Sequence, residues 1–160
     1  MRIATFLAIK SFKEGGCPIG AVIIGEGRQI IGKGHNTLIQ ENDSTMHGET
    51  SALRDAGRVA KLKGQGPVDF RQATMFTTLT PCEVCCAQVK NRANFDTIVI
   101  GDVTNAPSTE KNLRSGDGAI KNVIILEDPK AIAVYKMYEM QKNQIHLLDW
   151  RGYKAITPRL

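Results

Sequence analysis

His47, Glu49, Cys82 and Cys85 are the residues of this chain whose types and spacing could do chemistry. The runs His47-Gly48-Glu49 and Pro81-Cys82-Glu83-Val84-Cys85 offer one imidazole and two thiolates. Three such donors are one short of the closed tetrahedral shell of a structural zinc, and an open corner is what a catalytic zinc needs to hold water. Mixed sulfur and nitrogen donors favour zinc over iron. The carboxylate of Glu49, two residues from the histidine, supplies a proton carrier beside that water.

The elements that must position these groups follow from local pattern. Cys82 and Cys85 stand three residues apart in the first turn of a predicted helix, where they share a face. Unsatisfied backbone N–H groups and the positive end of the helix dipole favour thiolate there, and thiolate is the ligating form. Cys86 is also within helical reach of Cys82, so periodicity alone leaves Cys85 and Cys86 both open. His47 starts a separate helix, so a metal would pin two helix N-termini together. Residues i and i+2 of a helix point to roughly opposite sides. Glu49 therefore reaches the same site only if His47 sits at the cap or in the first turn, where directions are not yet helical.

Around these runs the chain alternates helices and strands. Residues 2–14 read as an amphipathic helix stopped by Gly15-Gly16. Residues 19–24 and 29–31 are β-branched runs joined by Gly25-Glu26-Gly27, a hairpin signal. Residues 35–46 read as loop. Ala52, Leu53, Ala56, Val59 and Ala60 recur at helical spacing, so a helix begins near His47 and buries one face. Residues 74–79 form a third strand. Thr80 is expected to cap a helix beginning at Pro81, with Glu83 returning to the cap residue's N–H. Residues 97–100 and 123–126 are apolar without alternation, as in strands covered on both faces. Asp128-Pro129 opens a last long helix with Ala131, Val134, Tyr135 and Tyr138 on one side. The sum is an α/β layered architecture of about five strands with helices on both faces, read as a single domain over residues 1–160.

Composition sets the outer limits. With 160 residues, 42% apolar and 23% charged, the chain can bury a core. No apolar run approaches a membrane span, and the N-terminus lacks a small-residue cleavage site, so the expected compartment is cytoplasmic. Three of the four cysteines fall within five residues, which is ligand spacing and not a disulfide framework. The net charge of +5 is spread along the chain without a basic run, which favours a solvated surface over a polynucleotide groove.

His47-x-Glu49 followed by Pro81-Cys82-x-x-Cys85 is the signature of zinc nucleobase deaminases. From about residue 10 to residue 150 the chain resembles fungal-type cytosine deaminase, within the cytidine/deoxycytidylate deaminase superfamily. The matching stretches are Lys13-Glu14-Gly15-Gly16-Cys17-Pro18-Ile19-Gly20, Gly34-His35-Asn36, His47-Gly48-Glu49-Thr50-Ser51 and Thr77-Thr78-Leu79-Thr80-Pro81-Cys82-Glu83-Val84-Cys85. The glycine between His47 and Glu49 points the same way.

The resemblance implies a three-layer α/β/α fold with a central mixed sheet, a homodimer and one Zn2+ per subunit. It implies that His47, Cys82 and Cys85 hold the metal, leaving Cys86 to pack as a small buried hydrophobe. Glu49 would shuttle protons during hydrolytic deamination of a free nucleobase, with cytosine first. Asn36 would grip the amide edge of the ring, the Cys82 N–H would stabilise charge at the attacked carbon, and Thr80 would lie beside the departing amine. Trp150 would either close the pocket or anchor the tail.

Two departures bear on the substrate. The loop Asp102-Val103-Thr104-Asn105-Ala106-Pro107 lacks the aromatic that the family places there, and no acid follows Trp150. The alternatives are isocytosine or a guanine-like heterocycle, adenosine in tRNA, or a non-catalytic zinc-stabilised module that would need a fourth ligand, with His35 and His146 the remaining histidines.

Overall fold

The hairpin signal around Gly25-Glu26-Gly27 resolves into strands β1 (Gly20–Ile24) and β2 (Ile30–His35), paired antiparallel in a computed structural model that describes residues 1–106 and 109–147, with side chains as far as residue 142. Strands β3 (Thr74–Thr77), β4 (Thr97–Ile100) and β5 (Asn122–Ile125) complete one mixed sheet in the order β2-β1-β3-β4-β5. β1 runs antiparallel to both neighbours, while β3, β4 and β5 are parallel. The helices are α1 (Arg2–Lys13), α2 (Gly48–Leu62), α3 (Glu83–Ala87), α4 (Glu110–Arg114) and α5 (Pro129–Leu147), and a π-helical turn at Gln88–Arg92 continues α3.

Alternation along β1 sorts the core into two layers. Ala21 and Ile23 point with Met75, Ile98 and Ile100 toward Ala52 and Ala56 of α2, Cys86 of α3, Val89 and Leu113 of α4. Val22 points the other way, onto Ala4 and Leu7 of α1, with Ile24 and Phe76 beside it. α5 packs along α1. The result is the expected α/β/α sandwich. Each fully buried side chain such as Ile23, Met75 or Ile98 contributes about 1.5–3 kcal/mol relative to exposure.

Three expectations need correction, and one short helix goes unannounced by the sequence. β2 runs on to His35, through Gly32 and Gly34, which give a weak strand signal. These glycines let α2 lie directly on the strand: an added Cβ would sit 2.4 Å from the Ala52 carbonyl oxygen at Gly32 and 2.5 Å from the Ala52 nitrogen at Gly34. β5 is an edge strand with Ile124 and Ile125 exposed, so among the described residues it is not covered on both faces as β4 is. The short α4 carries no apolar periodicity strong enough to announce it. The helix expected at Pro81 starts at Glu83, for reasons given with the site below. α5 begins as expected, with Asp128 Oδ1 accepting from the Lys130 and Ala131 N–H groups. Among the described residues no helix is long and apolar enough to cross a membrane.

Candidate metal centre

The His47 backbone is extended (φ −75°, ψ 158°), because the residue is the N-cap of α2 and not yet helical. That removes the i, i+2 conflict and turns both His47 and Glu49 inward. Gly48 allows the approach, since a Cβ there would press to 3.0 Å from the Ile19 carbonyl oxygen. Glu49, in the first turn of α2, is 2% exposed.

Cys82 is likewise an N-cap (φ −65°, ψ 171°), for α3, and Cys85 is buried one turn on. The capping box expected from Thr80 does not form. Thr80 is instead tied to Asp102, two residues beyond β4, its N–H and Oγ1 donating to the Asp102 carbonyl at 3.0 and 3.1 Å. This holds the strand-to-helix turn down and leaves the cap position to Cys82. Cys86, which periodicity left open, turns away: its Sγ reaches the carbonyls of Pro81 at 3.3 Å and Thr109 at 3.8 Å.

His47 Nδ1, Cys82 Sγ and Cys85 Sγ converge within 4.8 Å, the one such group among the described residues. Nδ1 is 3.4 Å from Cys82 Sγ and 3.6 Å from Cys85 Sγ. For Zn–S near 2.3 Å and Zn–N near 2.0–2.1 Å, tetrahedral angles place nitrogen and sulfur about 3.6 Å apart, so the donors already have the spacing of a zinc site. The thiols are unequal. The Cys85 thiol, the backbone N–H groups of Cys85 and Val84, and His47 lower Cys82 to about 5. Cys85 is pushed up, because its proton is shared with Cys82 and because it is buried beside Glu49.

Glu49 is held from two sides. Thr77, the last residue of β3, donates its hydroxyl to Glu49 Oε1 at 3.0 Å, and Oε2 is 3.5 Å from Cys85 Sγ. Burial raises the carboxyl above the usual carboxylate range, and the neighbouring Cys82 adds to it. Cys17 is close enough to feel this group: burial first, then the Glu49 charge, push its thiol up to about 12. Thr77 and Cys17 fall within the matching stretches, but the sequence assigns neither of them a role. A threonine at a strand end and a cysteine before a proline carry no chemical signal until the fold brings them to Glu49.

Among the residues expected to touch substrate, Asn36 is buried, and its Oδ1 accepts from the Leu38 N–H at 3.2 Å, which orients the side chain. Asp102, fully buried, shapes the loop after β4 by accepting from the N–H and hydroxyl of Thr104 and from Asn105. His35 pairs with Glu14 and Lys10, away from the three-donor group. Trp150 lies outside the described residues, as does the side chain of His146.

Fold and site together define a candidate zinc centre on an α/β/α sandwich, with His47 and Cys82 at the N-caps of two helices and Cys85 in the first turn of the second. Residues 1–102 match the model of the cytidine and deoxycytidylate deaminase zinc-binding region, and the chain belongs to that family. The family and the His47/Cys82/Cys85 group together give the protein one Zn2+. Cytosine deaminase of Candida albicans is 34% identical over 150 residues, covering 94% of this chain and 91% of that protein. A tRNA-specific adenosine deaminase of Buchnera aphidicola is 41% identical over 93 residues, covering 57% of this chain and 56% of that one. A structure from work on A-to-I editing by tRNA:A34 deaminases shares the fold, with a TM-score of 0.68 and 23% identity over 84% of this chain and 96% of its own.

Proposed function

We propose that this protein hydrolyses the exocyclic amine of a free aminopyrimidine base, cytosine foremost, releasing ammonia. The observation that carries the reading is the likeness to a cytosine deaminase over 94% of this chain and 91% of that protein. His47, Cys82 and Cys85 hold the metal. When bound, zinc supplies Lewis acidity and a water activated near neutral pH.

The chain's own groups do the rest. Glu49 takes a proton at Oε2, the oxygen that faces the donor group, passes it to the ring nitrogen and then assists departure of the amine. Its burial suits a residue that carries a proton through part of the cycle. The Asn36 amide binds the polar edge of the ring, and the Cys82 N–H stabilises charge at the reacting carbon. Thr80 stands beside the departing amine. The protein acts on a small molecule as a homodimer, in keeping with its resemblance.

Ammonia release by zinc-loaded protein tests the reading directly, on cytosine, isocytosine, guanine, adenine and their nucleosides. Turnover of cytosine or isocytosine above the others is expected. Preference for a purine or a nucleoside would overturn the substrate.

A second reading, deamination of adenosine in tRNA, is favoured by the 41% identity to the Buchnera protein and by the net charge of +5. It predicts tRNA binding that weakens steeply with salt. Unchanged tRNA mobility at low salt would dispose of it.

A further inference from the structure

Glu49 has two carboxylate oxygens, and the structure gives them different surroundings. Oε2 lies toward Cys85 Sγ, on the side of the three donors, while Oε1 lies 3.0 Å from Thr77 Oγ1. Thr77 is immobilised. It is 0% exposed, ends a strand paired on one side with Ala21 and on the other with Ile100, and its carbonyl accepts from the Gly101 N–H at 2.9 Å. A buried hydroxyl at a strand position is costly unless bonded, and valine would fill the same space without that cost. One acceptor besides Glu49 is in reach, the Leu79 carbonyl at 3.1 Å. The hydroxyl has one proton to donate, and of the two acceptors Glu49 Oε1, set in the first turn of a different element, is the nearer and, as a carboxylate, the stronger.

We infer that Thr77 is the positioning residue for Glu49: its hydroxyl anchors Oε1 to the sheet and so fixes Oε2 toward the His47/Cys82/Cys85 group. The inference rests on the deaminase reading for its rate measurements but not for its spectroscopic one. A carboxylate free to rotate about its last bond spends part of its time misaligned, and misplacement by about 1 Å can cost on the order of 100-fold in rate.

The test compares Thr77→Val and Thr77→Ala, which lack the hydroxyl, with Thr77→Ser, which keeps it, all in zinc-loaded full-length protein of verified metal content. On the best substrate of the panel, kcat falls about 10- to 100-fold in the two hydroxyl-free variants while KM moves less than about threefold, and Thr77→Ser recovers to within about threefold of wild type. The infrared carboxylate stretch of Glu49, identified as the band missing from Glu49→Gln, shifts in Thr77→Val and Thr77→Ala and returns in Thr77→Ser. An unmoved band in both hydroxyl-free variants, or a kcat equal to wild type in them, overturns the inference. If no compound of the panel is turned over, the deaminase reading fails, and the infrared band still decides the role of Thr77.

Discussion

His47 Nδ1 stands 3.4 Å from Cys82 Sγ, so the N-caps of α2 and α3 meet although 35 residues separate them in sequence. Each N-cap contributes a donor, and a bound metal would close the junction. Zinc should therefore be part of the folding free energy. A ligand at 100 times its Kd adds about 2.7 kcal/mol. Chelation is predicted to lower Tm by roughly 5–10 °C in a chain of this size. Cys85→Ser should lose the metal, whereas Cys86→Ser, whose sulfur faces the Pro81 carbonyl, should retain one zinc per chain. Metal analysis by atomic emission with thermal melts checks both, and equal zinc loss in the two variants would overturn the assignment.

The same junction makes Cys82 a thiolate before any metal arrives. Its folded value of about 5 lies well below its ordinary 9.0, chiefly through the Cys85 thiol. The sign is that of a depressed acid. The anion is favoured in the folded state, and the stability it contributes is present above 9 and lost as pH falls through about 5. Chelator-treated protein is predicted to show thiolate ultraviolet absorption with a midpoint near 5, removed by Cys82→Ser. A first midpoint near 9 would contradict the geometry.

Much of this centre is legible from residue type and spacing, because His47, Glu49, Cys82 and Cys85 sit in short runs whose chemistry is local. The need for His47 to be a cap can be deduced from helix directions alone, and the structure places it there. What cannot be read is long-range. The choice of Cys85 over Cys86 depends on where Thr109 and Pro81 put their carbonyls. The missing capping box depends on Asp102, 22 residues beyond Thr80. Gly32 and Gly34 look like loop residues until α2 is laid across them. β5 has the sequence of a buried strand, and its exposure follows from its place at the sheet edge.

Glycine at position 34 carries a separable prediction. Its added Cβ would meet the Ala52 backbone nitrogen at 2.5 Å, so Gly34→Ala must lift α2 from the sheet. Overpacking of this kind costs about 1–3 kcal/mol. Gly20→Ala strains the opposite layer, against the Ala4 carbonyl of α1 at 2.1 Å. Both should destabilise in urea. Gly34→Ala should also lower kcat, since α2 carries His47 and Glu49, whereas Gly20→Ala should change kcat less. Equal kcat in the two variants would show that α2 tolerates the shift.

Asp102 organises the loop after β4 through its carboxylate, while its carbonyl holds Thr80. Removing the carboxylate leaves the Thr104 and Asn105 donors without their shared acceptor, at about 1–3 kcal/mol. Asp102→Ala is predicted to raise KM more than it lowers kcat, because the metal donors lie on other elements. Asp102→Asn, which keeps an acceptor oxygen, should recover most of the loss. The kcat and KM values of the two variants decide it, and a fall in kcat alone would contradict the reading.

Glu49 is predicted to trade stability for activity. Its carboxyl is buried and raised from 4.5, mainly by desolvation. At pH well below 4.5 both folded and unfolded chains are protonated and the group contributes nothing. As pH rises past 4.5 the unfolded chain ionises first, so folded stability falls until the folded carboxyl also ionises, and the deficit then stays constant. Glutamine carries no charge at any of these pH values. Glu49→Gln should therefore match wild type near pH 4 and exceed it at pH 7, read as urea midpoints on chelator-treated protein, where no cation offsets the carboxylate. With zinc restored, the same variant should keep its metal and lose about 100- to 10,000-fold in kcat, the usual range for removing a general acid–base group. A variant that is no more stable at pH 7, or that keeps its rate, would remove Glu49 from the role of proton carrier.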